Sequence, residues 1–401
     1  MIPFAKADIG VEEVSAVMQV LESGWLTSGD WMRKLEAAVS GYLGGVNAIA
    51  VNSATSGLHL ALEAMGIGPG DEVLVPTLTF AATAEAVRYV RATPVFCDIN
   101  PHTLNLDVGD AESRITPRTR AIIPVHYGGL ACEMGQVWSL AIEYDLKVIE
   151  DAAHALGSTY RGSPIGAGLS DAVVYSFYAT KCITTGEGGM VVTTDKTLAH
   201  RMRTMRLHGI DRDAFDRYRK PGSWEYDVVD AGFKYNLPDI LAAIGVAQFE
   251  RMEEMRAKRE NIARIYYAAL SKLPMQLPKQ AEDCQHSWHL YAVCLPIGVQ
   301  RDQFIEVMKD LGVMCSVHYK PLHRMTYWSQ YARGTYPFAD AVWPRLVSLP
   351  IYSGMEDAEV SKVIWAVEEA LQRARGAKPN SGAEAAGQEP RSVQRGHAPA
   401  P

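Results

Sequence analysis

VIEDAAHALGSTYRGSPIGAGLSDAVVYSFYATKCITTGEGGMVV, residues 148–192, decides how this chain is read. One apolar run ends in Glu150-Asp151. A second, Ala172 to Phe177, leads to a single lysine, Lys181, and then to the turn Gly186-Glu187-Gly188-Gly189. An acid at one strand end and a lysine after the next strand is the layout a pyridoxal phosphate site requires. A buried carboxylate keeps the pyridine nitrogen protonated, so that the ring can act as an electron sink. A partly desolvated amine holds the aldehyde as a Schiff base. The glycines let backbone pass close to the cofactor. Taken singly, the Asp reads as a turn or cap residue and the lysine as a surface group. Their conjunction in one α/β pattern carries the reading.

Strand-like runs recur upstream at Ala48–Val51, Val73–Pro76, Pro94–Asp98, Ala121–Val125 and Lys147–Glu150, and downstream at Met190–Thr194. Helical spacing lies between several of them, at Leu58–Met65, Phe80–Arg91 and Glu133–Tyr144, with another helix at Leu198–Leu207. This alternation predicts a mostly parallel sheet covered by helices, with its functional loops at the C-terminal strand ends. Asp151, the small-residue turn Ser53–Ser56 and the pair Thr79-Phe80 all fall on that rim. A strand that runs through small hydroxylated residues into a helix also offers free N–H groups to a phosphate, or simply a capped helix.

An N-terminal arm, residues 1–45, reads as two helices, Val11–Glu22 and Trp31–Tyr42. The large α/β unit is expected over 46–250, closing with a helix at Asp239–Glu250 that Pro238 opens. Residues 211–230 read as a long loop. A smaller α+β unit is expected over 251–376, with helices Met252–Leu270, Phe304–Leu311 and Ala358–Arg373 and strands Trp288–Leu295 and Val313–His318. Residues 377–401, rich in Pro, Gly, Ala and polar residues, are expected to be disordered.

The 401 residues are 48% hydrophobic and 21% charged, with net charge −7. No basic stripe points to nucleic acid, and no polybasic segment or long apolar run points to a membrane. The N-terminus lacks the pattern of a signal peptide. Six scattered cysteines read as reduced thiols, so a cytoplasmic protein is expected. Cys182 reads as a packing residue and His126 as a packed rim residue. His318 and His323 lack the companions of a metal site, and no metal is expected.

The segments SGWLTSG (23–29), VNSATSGLHLAL (51–62), GDEVLVPTLTFAATA (70–84), RLHG (206–209), GFKYNLPDILAAIGVAQ (232–248) and VHYKPLH (317–323) complete a pattern around residues 148–192. The chain resembles the DegT/DnrJ/EryC1/StrS aminotransferases, a nucleotide-sugar branch of the fold-type I pyridoxal phosphate enzymes. At ITPRTRAIIPVHY (115–127) its wording is nearest to members that aminate a UDP-4-keto-pentose. The resemblance implies Lys181 as Schiff-base lysine and proton carrier, and Asp151 as partner of the pyridine nitrogen. It places His154 near the ring, Phe80 on the ring face, and Ala54, Thr55 and Ser176 at the phosphate. Lys234 stands where many members have Asn, and with Asn236 it would reach the phosphate of a neighbouring subunit in a homodimer. Thr27, His318 and Tyr319 would meet substrate. The implied reactants are an amino-acid donor (glutamate, yielding 2-oxoglutarate) and a nucleotide-linked keto-sugar, in polysaccharide or lipopolysaccharide synthesis. Asp30 departs from the proline usual there. A sugar dehydratase of the same family would replace Lys181 with histidine, and a non-catalytic regulator on the same scaffold would lose Lys181 or Asp151. Both residues are present.

Overall fold

The computed structural model describes residues 1–211, 225–279 and 283–376. Short apolar runs form β1 (Asn47–Val51), β2 (Glu72–Pro76), β3 (Thr93–Cys97), β4 (Thr119–Ile122) and β5 (Lys147–Asp151). A small hairpin, β6 (Thr159–Tyr160) and β7 (Ser163–Pro164), precedes β8 (Ala172–Ser176) and β9 (Gly189–Thr193). Seven of these strands make one sheet in the order β1-β9-β8-β5-β4-β2-β3. All its pairings are parallel except those of β9, which runs antiparallel to β1 and β8. The acid-bearing β5 and the strand before the lysine, β8, are therefore parallel neighbours, and their C-terminal ends share one rim.

Alternation along each strand feeds two cores. Ala48, Ala50, Val173 and Tyr175 face a cluster that includes α2 (Asp30–Tyr42) and α6 (Met134–Tyr144). Ile49, Val51, Ala172 and Val174 face another, which includes α3 (Ala54–Ala64), α4 (Ala81–Tyr89) and α7 (Lys196–Met205). Burial on both faces is why these strands read as apolar runs without polar alternation. Around them lie α1 (Val11–Ser23), the short α5 (Val108–Ser113) and α8 (Asp239–Glu250). A third cluster joins α9 (Met252–Leu270), α10 (Arg301–Asp310) and α12 (Asp357–Gly376) to the antiparallel pair β10 (Tyr291–Cys294) and β11 (Leu346–Leu349). Between β10 and β11 the chain, including α11 (Pro337–Val342), sends Leu322, Trp328, Tyr336 and Ala339 back onto the α3 side of the large sheet.

The structure corrects several expected elements. Val313–His318 is not a strand. It makes one bridge from Val313 to Ile2 and one from Ser316 to Ser348, so its partners lie at the chain's start and in β11 and meet it at single residues. The expected strand Trp288–Leu295 shrinks to β10, and Trp288, at its expected start, has φ 53°, outside the extended region. Helix α3 begins at Ala54, four residues earlier than Leu58, because Ser53 caps it by accepting a hydrogen bond from the Ser56 N–H at 3.1 Å. Of the loop expected at 211–230, residues 212–224 lie outside the described residues, and Val228 bridges Ile210. The tail expected at 377–401 lies outside them too. Among the described residues, no helix is long and apolar enough to cross a membrane.

Candidate active site

A cavity of about 520 Å³ opens at the C-terminal ends of β5 and β8. Of the residues singled out from sequence, Ala54, Thr55, Phe80, Asp151, His154, Ser176, Lys181, His318 and Tyr319 line it together. Lys234, Asn236 and Thr27 do not. Lys234 is exposed, and its Nζ donates to Asn236 Oδ1 at 2.5 Å. Asn236 Nδ2 in turn donates to Ser28 Oγ at 2.7 Å. Thr27 is exposed, and its carbonyl accepts from the Asp239 N–H at 3.3 Å.

Asp151 ends β5 at the bottom of the cavity and is 5% exposed. Its Oδ2 accepts from the Thr83 hydroxyl at 2.8 Å, and its Oδ1 accepts from the Ala153 N–H at 3.1 Å. Burial pushes its pKa up; those two donors and the charge of Lys181 work in the opposite direction. A carboxylate so placed gains from any cation brought against it. Lys181 faces the cavity, and desolvation lowers its pKa to about 8, with Asp151 and Cys182 opposing the shift.

Neutral rings surround the lysine. His154 Nδ1 accepts from the Gly128 N–H at 3.2 Å, so its proton sits on Nε2, which donates to the Tyr319 hydroxyl at 3.1 Å. Burial and the Lys181 charge hold His154 well below the usual histidine range. The same two causes lower His318 to about 4, and its Nδ1 pairs with Ser348 Oγ at 2.9 Å. Its ring stacks on Phe4 with centroids 5.1 Å apart. His289, also on the wall, is pushed well below its ordinary value, first by burial and then by Lys181.

The start of α3 also borders the cavity and can offer N–H groups to an anion. The first-turn N–H groups of α3 have no intrahelical partner. Ser53, Ala54, Thr55 and Ser176 line the cavity beside them. Gly189 lies between Val51 and Ser176 in the sheet. A Cβ there would meet Ala54 N, Ser53 C and Tyr175 O, each at 2.8 Å, so only glycine lets β9 run this close to the helix start. Fold and pocket together define a pyridoxal phosphate enzyme. The residues present fit that cofactor: the α3 N-terminus could take its anionic group, Asp151 its pyridine nitrogen and Lys181 its aldehyde.

Residues 7–368 match the DegT/DnrJ/EryC1/StrS aminotransferase family. The chain is 42% identical to the spore coat polysaccharide biosynthesis protein SpsC of Bacillus subtilis over 381 residues, covering 93% of this chain and 98% of that one. The PMP-form of Spr1654 from Streptococcus pneumoniae superposes with a TM-score of 0.88 at 31% identity, covering 93% and 100% of the two chains. The sugar aminotransferase CalS13 from Micromonospora echinospora gives 0.83 at 32%, covering 92% and 100%. The protein belongs to the DegT/DnrJ/EryC1/StrS aminotransferase family and is a pyridoxal phosphate-dependent aminotransferase.

Sequence reading missed three participants. Thr83 holds Asp151 but sits inside a helix, without a motif of its own. Phe4 arrives because Ile2 pairs with Val313, a contact across the whole chain. His289 had one signal, a polar residue within the apolar run Trp288–Leu295.

Proposed function

We propose that this enzyme moves an amino group from an amino acid, glutamate by choice, to a nucleotide-linked keto-sugar, with Lys181 as the Schiff-base lysine. The observation that carries the reading is the convergence of Lys181 and Asp151 in one cavity beneath the α3 N-terminus. The likeness to SpsC and CalS13 supports a sugar as acceptor.

Bound there, pyridoxal phosphate supplies an electron sink for the carbon that loses or gains a proton. The chain's residues do the rest. Asp151 holds the proton on the pyridine nitrogen, and Thr83 fixes the carboxylate's orientation. Ala54, Thr55 and Ser176 take the phosphate at the helix N-terminus. Phe80 would cover the ring face, and His154 would lie beside the ring. The Lys181 amine, with its pKa near 8, takes and returns the migrating proton near neutral pH. Lys234, and with it Asn236, would reach the phosphate of a partner subunit in a homodimer, and Thr27, His318 and Tyr319 would meet the substrate. The large unit of this scheme is residues 46–250 and the smaller one 251–376.

Borohydride reduction should fix the cofactor to the peptide containing Lys181, and Lys181→Ala should abolish that adduct. An adduct on another lysine overturns the assignment. Incubation with glutamate and a panel of nucleotide keto-sugars, read by mass spectrometry, should show one sugar gaining an amine. Amination of free keto acids alone would overturn the sugar reading.

A further inference from the structure

His289 Nε2 lies 3.5 Å from Lys181 Nζ. The ring is buried, 5% exposed, and its Nδ1 has no hydrogen-bond partner among the described residues. A buried polar atom left unpaired in a folded site calls for an explanation.

The direction of this ring is set by its neighbours. Trp288, the residue before it, is buried at φ 53°, a conformation a bulky side chain adopts only when its surroundings impose it. Hydrogen bonds on both sides of Trp288 hold the turn. Arg259 Nη1 donates to the Trp288 carbonyl at 3.4 Å and to the Ile351 carbonyl at 2.8 Å. The Trp288 N–H donates to His286 Nδ1 at 2.8 Å. Ser287 Oγ donates to the His154 carbonyl at 2.6 Å, tying the segment to the strand end that carries Asp151.

We propose that His289 is the positioning residue for the Lys181 amine, its neutral imidazole accepting a hydrogen bond that the lysine can make in both of its protonation states. This rests on the reading of Lys181 as the cofactor-binding lysine. An ammonium donates to Nε2, and so does a neutral amine. A carboxylate at this place would favour the ammonium and hold the proton; an aliphatic side chain would leave the amine free to swing. The charged and titratable groups facing the pair are Asp151 and Cys182 on the lysine, and His154, Arg259 and His318 on the imidazole. Lys181, His154, Arg259 and His318 all disfavour a positive charge on His289, so the ring does not compete for the proton that the lysine carries. With Nε2 accepting, the ring proton rests on Nδ1, which accounts for the unpaired atom as the consequence of aiming Nε2 at the amine.

The test uses the full-length enzyme loaded with pyridoxamine phosphate, the cofactor form that leaves Lys181 free. Trace acetylation across pH, quantified by mass spectrometry on the Lys181 peptide, gives the titration midpoint of the amine. His289→Gln, which keeps a neutral acceptor, should leave the midpoint within a few tenths of a unit of wild type. His289→Asp should raise it by about one unit or more. Amine return to a keto acid, followed by cofactor absorbance, should slow by about tenfold or more in His289→Leu and by much less in His289→Gln. An unmoved midpoint in His289→Asp, or equal rates in the Leu and Gln variants, overturns the proposal. If the Leu variant does not fold, the Gln and Asp midpoints decide alone. A borohydride adduct on Lys181 in wild type, with no midpoint shift among the variants, rejects only the role of His289. An adduct elsewhere rejects the lysine assignment itself.

Discussion

Asp151 shows how one side chain's surroundings decide its chemistry. Burial pushes its pKa up and so favours the neutral carboxyl, the form less useful to a pyridine nitrogen. Thr83, the Ala153 N–H and Lys181 pull it back toward the carboxylate. Asp151→Asn keeps the shape but removes the charge that, in the proposed mechanism, retains the proton on the pyridine nitrogen. Turnover should fall by roughly 10²-fold or more, while cofactor is still bound, more weakly. Steady-state kinetics with an absorbance titration of cofactor checks both; near-normal turnover would assign the pyridine nitrogen to another group. The Asp and the lysine were legible in the sequence because strand ends and glycine turns mark them locally. Thr83 was not, since a threonine within a helix has no local signature of the carboxylate it will meet.

The decisive element is α3 with the strand that passes its start. Ser53 caps the helix, Gly57 lets its first turn lie against Val174 and Val191, and Gly189 brings β9 against Ala54. Gly189→Ala places a methyl group 2.8 Å from three backbone atoms, which cannot rotate away as a side-chain tip would. The substitution should cost about 1–3 kcal/mol, the range for overpacking a tight site. Cofactor affinity should fall with it, because the first turn must shift. Thermal melting with and without cofactor measures both; an unchanged cofactor affinity would show that this turn does not hold the phosphate. The helix was legible only from Leu58, where apolar periodicity begins. Its first four residues are small and carry no apolar periodicity, and the capping contact that makes them helical is a matter of three-dimensional placement.

Across the whole molecule, distant segments are pinned to the sheet through buried charge. Glu72 at the start of β2 accepts from the Thr116 hydroxyl, from Arg118 and from Arg333, some 260 residues away in sequence. Burial opposes its ionisation, but these three donors outweigh burial and hold its pKa at about 2, below the ordinary 4.5. A depressed carboxylate contributes stability above its unfolded pKa and loses it as pH falls toward the folded value. Glu72→Gln should therefore be less stable at pH 7, by about 2 kcal/mol. The gap to wild type should close between pH 4.5 and about 2. Thermal melts at pH 7 and pH 3 check the sign, and a constant gap would refute it. The assembly proposal is tested at the same scale. Lys181→Ala and Lys234→Ala should each be poorly active alone. A mixed dimer would carry one site with both lysines intact, so subunit exchange should recover up to about half of one dimer's activity. Confirmed exchange with no recovered activity would show that Lys234 does not complete the partner's site.

By itself the sequence determined the sheet, its helical cover and the rim that carries Asp151 and Lys181. Those features follow from periodicity, burial on both strand faces and turn chemistry, all of which are local. The tertiary structure decided what local patterns cannot encode. Residues 313–318 are not a strand, because their partners are Ile2 and Ser348. Phe4 stacks on His318, and Lys234 and Asn236 stand away from the cavity lined by Lys181. His289 faces the lysine because a strained turn at Trp288, held from α9 by Arg259, aims it there. These contacts join segments from 29 to more than 300 residues apart, and no stretch of sequence carries that information alone.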